Sequence, residues 1–242
     1  MTRNIIRSPT HVVEVWGDFA CFSRPELKVE RWSYPCPTPS AARGMFDAIY
    51  FKPEFYWQVR KIELLTQPSY VALRRNEVGS VVSVANVRKW MKATASPTPL
   101  LADDPSQRQQ RQTMALRKPR FRLHAYIIPR PGHEHEQAAF DAQFVRRASQ
   151  GKCLLQPYLG TREFIAFFRH IHSFDGEGQP VSYSQKLGWM LYDVFNLQEL
   201  SDCHAKPFIS MFDAEISNGV LDVPSFESDL VRKPTTTERR EG

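Results

Sequence analysis

Apolar side chains recur along the first part of the chain with spacings that predict a strand followed by a helix. Residues 12–22 are rich in β-branched and aromatic side chains and break at Gly17 and Asp18, which predicts a strand that ends in a turn. In residues 39–49 the apolar positions recur every three or four residues, the period of a helix with one buried face. Thr38 is suited to cap this helix, and the proline that follows it is tolerated in a first turn.

Alternation between apolar and polar positions predicts two further strands, at residues 54–65 and 69–75. Alternate positions from Phe55 to Val59 share one side of the first strand, and Lys61 is a further candidate for that side. We therefore expect a long strand with one row of side chains in the core.

Residues 95–112 are rich in Ser, Pro, Asp and Gln, a composition that predicts a mobile loop. The loop leads into a basic strand at 117–129, with the sequence R-K-P-R-F-R-L-H-A-Y-I-I-P. Successive side chains of a strand point to opposite faces, so one set should face the core and the other an open surface. The core-facing set is Phe121, Leu123, Ala125 and Ile127. The open-face set is Arg120, Arg122, His124 and Tyr126.

The open-face set combines cations, an imidazole and a phenol. This composition suits the binding of a phosphate backbone with bases that can stack. Residues 105–132 contain no Asp or Glu, so we expect a positive field that attracts phosphate. The alternative is a solvated strand face whose arginines only confer solubility.

A second helix is predicted at 137–149, where Phe140 and Phe144 are four residues apart, and an aromatic strand follows that ends near residue 170. The order strand, helix, strand, strand, helix, strand predicts an α+β fold of the ferredoxin-like, RNA-recognition type, a sheet covered on one face by two helices. We assign this domain to residues 1–172.

Strand patterns at 188–196 and 206–217 predict a smaller β-rich C-terminal domain at residues 173–233. Asn218 and Gly219 form a strong hairpin signal before the next β-rich segment.

Composition and net charge indicate the class of partner and the cellular compartment. The formal net charge of +6 favours nucleic acid over an acidic protein or a membrane as partner. The four cysteines form no C-x-x-C pair, which predicts a reducing cytoplasm and no structural zinc. No signal peptide and no run of 18 apolar residues is present, so we expect a soluble protein. Residues 234–242 contain no apolar side chain and predict a disordered tail.

Two histidines in one turn raise the question of a metal site. His133 and His135 flank Glu134, but the segment offers neither a rigid helical spacing nor a third ligand. We therefore expect a solvated loop there, and no metal or other cofactor at the functional site.

Four stretches of the chain together resemble the CRISPR-associated fifth Cas family in its subtype-d, type I-C, form. They are E-V-W-G-D-F-A-C-F, S-Y-P-C-P-T-P-S-A-A-R-G-M-F-D-A-I-Y-F-K-P, R-F-R-L-H-A-Y and Y-L-G-T-R-E-F. The resemblance implies a ferredoxin-type fold with a β-rich C-terminal domain. It also implies an endoribonuclease that cuts CRISPR repeat RNA and keeps the 5′ handle of the product within a surveillance complex (Cascade), beside its backbone and large subunits.

The resemblance also implies roles for particular residues. The family's catalytic tyrosine falls on Tyr50 and its histidine on His124, and its lysine falls on Arg122. Arginine stabilises charge but does not exchange a proton, and Lys118 is a substitute only if the loop brings it to the site. The predicted RNA-binding residues are Arg43, Lys52, Arg117, Lys118, Arg120 and Tyr126.

The expected chemistry is attack of an RNA 2′-hydroxyl on its own phosphate, without a metal ion, to give a 2′,3′-cyclic phosphate and a 5′-hydroxyl. His124 offers a pKa near neutrality for the proton transfer, and the cations stabilise the transition state. The leading alternative is a non-catalytic subunit that holds the 5′ handle of the crRNA. A generic RNA-recognition domain and nonspecific binding of double-stranded DNA are further alternatives.

Overall fold

The computed structural model describes residues 8–27, 29–174, 177–197 and 208–234. Strands dominate these residues and helices are few, so the mixed α and β composition expected from the sequence is confirmed. The strands are β1 His11–Trp16, β2 Phe19–Ala20, β3 Arg31–Trp32, β4 Phe55–Leu64, β5 Tyr70–Val78, β6 Arg108–Arg117, β7 Arg120–Pro129, β8 Phe167–His170, β9 Gln185–Asp193, β10 Ser210–Ser217, β11 Val220–Asp222 and β12 Val231–Arg232. The helices are α1 Pro39–Ile49, α2 Val84–Met91 and α3 Gln137–Ser149, with a 3₁₀ turn at Glu134–Glu136.

Within the described ranges the strands form two sheets. The large sheet has the order β12-β10-β11-β4-β7-β1-β8, with β9 also paired to β10. Its central pairs β4 with β7, β7 with β1 and β1 with β8 are all antiparallel. The small sheet has the order β2-β6-β3, with β5 paired to β6.

Helices α1 and α3 cover one side of the large sheet. The Trp57 ring on β4 lies 4.8 Å from the ring of Phe46 on α1 and 4.7 Å from that of Phe144 on α3, measured between centroids. Trp57 pairs with Ile127 of β7, so both residues point to this helix side. His124, three residues before Ile127, points the other way, to what we call the polar side.

Helix α1 begins and ends where the sequence predicts. Thr38 accepts a hydrogen bond from the Ala41 backbone N–H at 3.2 Å, which satisfies one of the free donors of the first turn. The predicted apolar stripe is buried, including Met45 and Phe46. The helix gives way at Tyr50, whose backbone is extended.

Strand β4 contains a β-bulge at Arg60. Val59 pairs with Ala125 and Lys61 pairs with His124, so Arg60 is an extra residue in the ladder. The prediction that Lys61 shares a side with Val59 is therefore wrong. The bulge turns Lys61 and Glu63 to the polar side and leaves the exposed Arg60 without a place in the alternation.

The basic stretch 117–129 is not one strand. Arg117 ends β6, Lys118 and Pro119 form a turn, and β7 begins at Arg120. Lys118 has a φ of +46°, which breaks the extended backbone at that point. The predicted loop also ends earlier than expected, because residues 108–112 already pair with β5.

The strands and the hairpin predicted in the C-terminal part are confirmed. Asn218 and Gly219 have φ values of +49° and +76°, as the tight turn between β10 and β11 requires. Strand β11 pairs with β4, so the C-terminal strands extend the large sheet. The domain boundary at residue 173 stays a prediction.

Several predictions lie partly outside the described residues. These are the first two residues of the 206–217 strand and all of the 234–242 tail except Pro234. Cys203 also lies outside, whereas Cys21, Cys36 and Cys153 are free thiols. None of the helices in the described ranges combines the length and the apolar character that a bilayer-spanning segment needs.

Candidate active site

Arg122 and His124 lie side by side on the polar side of β7, as the alternation predicts, but this side is not open. Arg122 is 3% exposed and His124 is 5% exposed, and Tyr126 on the same side is also buried. The prediction of an open basic face is therefore wrong for these three residues. Only Arg120, at the start of the strand, is exposed.

Glu63 of β4 organises this site. Its carboxylate accepts a hydrogen bond from Arg122 Nη1 at 2.8 Å and forms an ion pair with Lys61 Nζ at 2.6 Å. His124 Nε2 lies 3.4 Å from Glu63 Oε1, a long contact with a carboxylate, and Arg122 Nε has no hydrogen-bond partner. Buried polar atoms with long or missing partners are uncommon in folded proteins.

The surroundings shift the pKa values of both titratable partners. Burial lowers the pKa of His124 below its ordinary value of 6.5, although the Glu63 carboxylate acts in the opposite direction. Burial by itself would raise the pKa of Glu63, but the nearby His124 and Lys61 outweigh it and lower the pKa to about 2. At neutral pH the site therefore contains a neutral imidazole beside an ionised carboxylate.

A segment far along the chain covers the site. The Phe174 ring stacks on the His124 ring with centroids 6.0 Å apart and planes 7° from parallel. The Arg122 guanidinium lies 5.4 Å from the centroid of the same ring and donates a hydrogen bond to the Gly178 carbonyl at 2.8 Å. Phe174 itself is 52% exposed, so it forms a thin cover over the imidazole.

Acidic residues on neighbouring strands neutralise much of the expected positive field. Glu14 of β1 forms ion pairs with Arg120 and Arg169, and Arg169 also pairs with Glu177. The absence of Asp and Glu from 105–132 could not reveal these partners, because they come from distant parts of the chain. A usable signal was present in β1 and β4, where Glu14 and Glu63 interrupt apolar strands.

The structure does not bring Tyr50 to His124. Tyr50 follows α1, and its ring centroid lies 5.2 Å from that of Phe55 on the helix side of the sheet. Its carbonyl accepts a hydrogen bond from Trp57 Nε1 at 2.9 Å. Burial raises the pKa of the Tyr50 phenol, and the charge of Glu54 adds to this effect.

Some of the predicted RNA-binding residues already contact other side chains, and others are exposed to solvent. Arg43 donates to Asp193 at 2.6 Å and also pairs with Asp47, and its side chain is only 12% exposed. Lys52 Nζ lies 5.3 Å from the centroid of the Phe140 ring. Arg117 and Lys118 are exposed at the turn between β6 and β7 and are the cations of this set most accessible to a polyanion.

No group of three or more His, Cys, Asp or Glu side chains in the described ranges is placed to hold a metal ion. His133 instead contacts Glu136, with Nδ1 2.7 Å from Oε1.

Comparison with known proteins shows which family this sequence is similar to. The family model Cas_Cas5d, described as CRISPR-associated protein (Cas_Cas5), matches residues 10–224. A curated protein of Mannheimia succiniciproducens named CRISPR pre-crRNA endoribonuclease Cas5d is 37% identical over 231 residues, covering 91% of this chain and 97% of its own. A protein of the same name from Thermus thermophilus is 37% identical over 225 residues, covering 88% of this chain and 90% of its own.

Solved structures are similar in fold. A crystal structure of a CRISPR-associated protein has a TM-score of 0.65 at 20% identity, covering 95% of this chain and 99% of its own. A functionally uncharacterized protein from Streptococcus mutans has a TM-score of 0.63 at 19% identity, covering 95% of this chain and 100% of its own.

Proposed function

Because the chain belongs to the CRISPR-associated Cas5 family in its subtype d, we propose that it is an endoribonuclease that cuts CRISPR repeat RNA. The curated relatives that carry this name align with about nine-tenths of the chain. The order β8-β1-β7-β4, with α1 and α3 on one side, supports a ferredoxin-like, RNA-recognition-type core. We further propose that β9 to β12 represent the family's β-rich C-terminal domain.

The observation that carries the catalytic proposal is that the buried His124 and Arg122 both lie beside the Glu63 carboxylate. A neutral imidazole can accept a proton at the ring nitrogen that carries no hydrogen, and a guanidinium fixed by Glu63 can stabilise negative charge. Glu63 would position both groups without contacting RNA itself. These three residues provide proton transfer and charge stabilisation within one site.

The proposed reaction needs no external nucleophile. The ribose 2′-oxygen forms a bond to the adjacent phosphorus and gives up its proton, and the bond from phosphorus to the 5′-oxygen breaks. The 5′-oxygen then takes up a proton, leaving a 2′,3′-cyclic phosphate and a 5′-hydroxyl. His124 serves in the proton transfer, and Arg122 stabilises the charge on the phosphate oxygens. Arg122 would thus assume only the electrostatic part of the family lysine's role.

For a base of the RNA to stack on this face of the His124 ring, Phe174 has to leave its stacked position. A base that stacks on the imidazole would replace the phenyl ring with a similar contact, so the exchange costs little stacking energy. Tyr50 remains a catalytic candidate on the resemblance alone. Its ring packs beside Phe55 on the helix side of the sheet, whereas the His124 ring lies on the polar side. Its phenol could orient a portion of RNA that passes the end of α1.

We propose that the product stays bound by its 5′ handle, with Arg117 and Lys118 as the first phosphate contacts. Their exposure and the net charge of +6 support this part of the proposal. Arg43, Lys52, Arg120 and Tyr126 would join only after rearrangement. Partners of the resulting ribonucleoprotein would be the backbone and large subunits of a type I-C surveillance complex, and double-stranded DNA is a weaker, nonspecific candidate.

A cleavage assay in EDTA with cognate repeat RNA tests the enzyme proposal. His124→Ala should reduce the rate by about 10²–10⁴-fold while the affinity for RNA stays nearly unchanged. The cleavage rate of Tyr50→Phe is measured in the same assay. The matched control is His135→Ala, which removes an exposed imidazole in the 3₁₀ turn. RNA with a 2′-deoxyribose at the scissile position should bind and remain intact. Cleavage of that RNA would contradict the mechanism.

A non-catalytic, handle-binding subunit is the second candidate, and the burial of His124 under Phe174 favours it. It predicts binding of repeat RNA with no cutting by the wild type or any variant.

A further inference from the structure

Two histidine side chains meet where β8 ends, on the helix side of the large sheet. His170 is the last residue of β8, and His172 follows two residues later. Nδ1 of His170 lies 3.2 Å from Nε2 of His172, and the two rings are perpendicular with centroids 4.2 Å apart. The two nitrogens are close enough to share a hydrogen bond or to bind one metal ion together.

A third polar atom completes a triangle. Ser149, the last residue of α3, places its Oγ 2.9 Å from Nε2 of His172 and 3.5 Å from Nδ1 of His170. The C-terminal end of a helix carries partial negative charge, which favours a cation at this position. The three atoms therefore surround a site with the electrostatics of a cation-binding site.

The spacing fits a transition-metal ion. Imidazole nitrogens bind zinc at about 2.0–2.1 Å, and at that length two nitrogens 3.2 Å apart make an angle of about 100° at the metal. This angle falls between the octahedral and tetrahedral values. We propose that His170 and His172, with Ser149 or water beside them, bind one first-row divalent ion of the zinc and nickel class, for which imidazole is a preferred ligand.

The access from solvent suits this role. Imidazole binds a metal ion in its neutral form. His172 is exposed and His170 is half-buried, so an ion can enter from solvent. With only two histidines the expected affinity is moderate.

The ion would act as a clamp between α3 and β8, not as a catalyst. His170 pairs with Val13 and its ring packs edge-on against Phe144, centroids 5.8 Å apart, so it lies on the helix side. His124 lies on the polar side of the same sheet. The proposal is therefore independent of the cleavage mechanism.

Titration of tag-free, metal-stripped protein with Zn²⁺, Ni²⁺ or Co²⁺ tests the site. Calorimetry should show one ion per chain, and Co²⁺ should produce a visible absorption band. His172→Gln should weaken binding by about tenfold or more, since even the loss of a supporting hydrogen bond to a ligand costs that much. The ion should also raise the thermal unfolding midpoint of the wild type and not that of His172→Gln.

The matched control is the double variant His133→Ala, His135→Ala, which removes the other histidine pair and should bind the ion as the wild type does. His170→Gln provides a second test if His172→Gln is unstable. Unchanged affinity in both Gln variants, or no saturable binding by the wild type, would show that the two rings only share a hydrogen bond. EDTA should reverse the thermal shift without affecting RNA cleavage.

Discussion

At the scale of single residues, Glu63 determines the character of the candidate site. It holds Arg122 in place, pairs with Lys61 and lies beside His124. Breaking a buried ion pair by removing one partner typically costs about 3–5 kcal/mol, because the other charge is left uncompensated. The side chain that never touches RNA in the proposed mechanism is therefore the one on which the arrangement depends most.

Glu63→Gln should change how stability depends on pH. The pKa of Glu63 is about 2 in the folded protein and near 4.5 when unfolded, so the folded state binds fewer protons between these values. Its contribution to the free energy of unfolding is complete above pH 4.5 and is lost as the pH falls towards 2. Urea unfolding across this range should show a steeper decline for the wild type than for Glu63→Gln. Asp103→Asn, at an exposed carboxylate, should decline as the wild type does, and equal slopes for Glu63→Gln would refute the assignment.

Sequence patterns predicted part of this site. Alternation along β7 correctly placed Arg122 and His124 side by side, because that property is local to one strand. Their burial depends on Phe174, about fifty residues further along the chain, which no local pattern connects to β7. An amphipathic pattern also does not reveal the bulge at Arg60, which places Glu63 beside Arg122 and His124.

At the scale of elements, the best-predicted features are those determined by local backbone chemistry. Helix α1 was predicted from its cap and its period, and the β10–β11 turn from its Asn-Gly pair. The junction at Lys118 and Pro119 was missed because the alternation on both sides of it stays in phase with a single strand.

Gly219→Ala should destabilise the protein by more than about 1 kcal/mol, since residue 219 has a φ of +76° and an added Cβ would lie 2.2 Å from the Val181 carbonyl oxygen. Gly44→Ala is the matched control. Gly44 is exposed within α1, and a Cβ added there would meet nothing within 4 Å, so the same change should stabilise by up to about 1 kcal/mol. Denaturant midpoints that shift in the same direction for both variants would contradict this account.

At the scale of the whole molecule, the two predicted domains share one sheet. Leu221 of β11 pairs with Ile62 of β4, and Gln58 of β4 donates to the Tyr192 hydroxyl at 2.6 Å. The sequence indicated a β-rich C-terminal part, but strand pairing across such a distance depends on tertiary contacts that periodicity does not report.

A fragment of residues 1–172 should therefore fail to fold as a stable monomer. Without β11 the edge of β4 is unpaired, and without Phe174 the site of His124 is uncovered, so we expect aggregation in gel filtration and a broad thermal transition. A fragment ending at residue 234 retains every described strand and should behave as the full chain does. A soluble, cooperatively folding 1–172 fragment would instead support two independent domains.

The extra residue in β4 has a consequence for how this protein can change over time. The side chain of Arg60 is exposed, so many substitutions there would leave the sheet intact. Deleting the residue would also keep the pairing of the two strands, because Lys61 would then follow Val59 directly and both Lys61 and Glu63 would stay opposite His124 and Arg122. The bulge is therefore an insertion that the site can lose, whereas deleting Ile62 would turn Glu63 into the apolar layer under the helices.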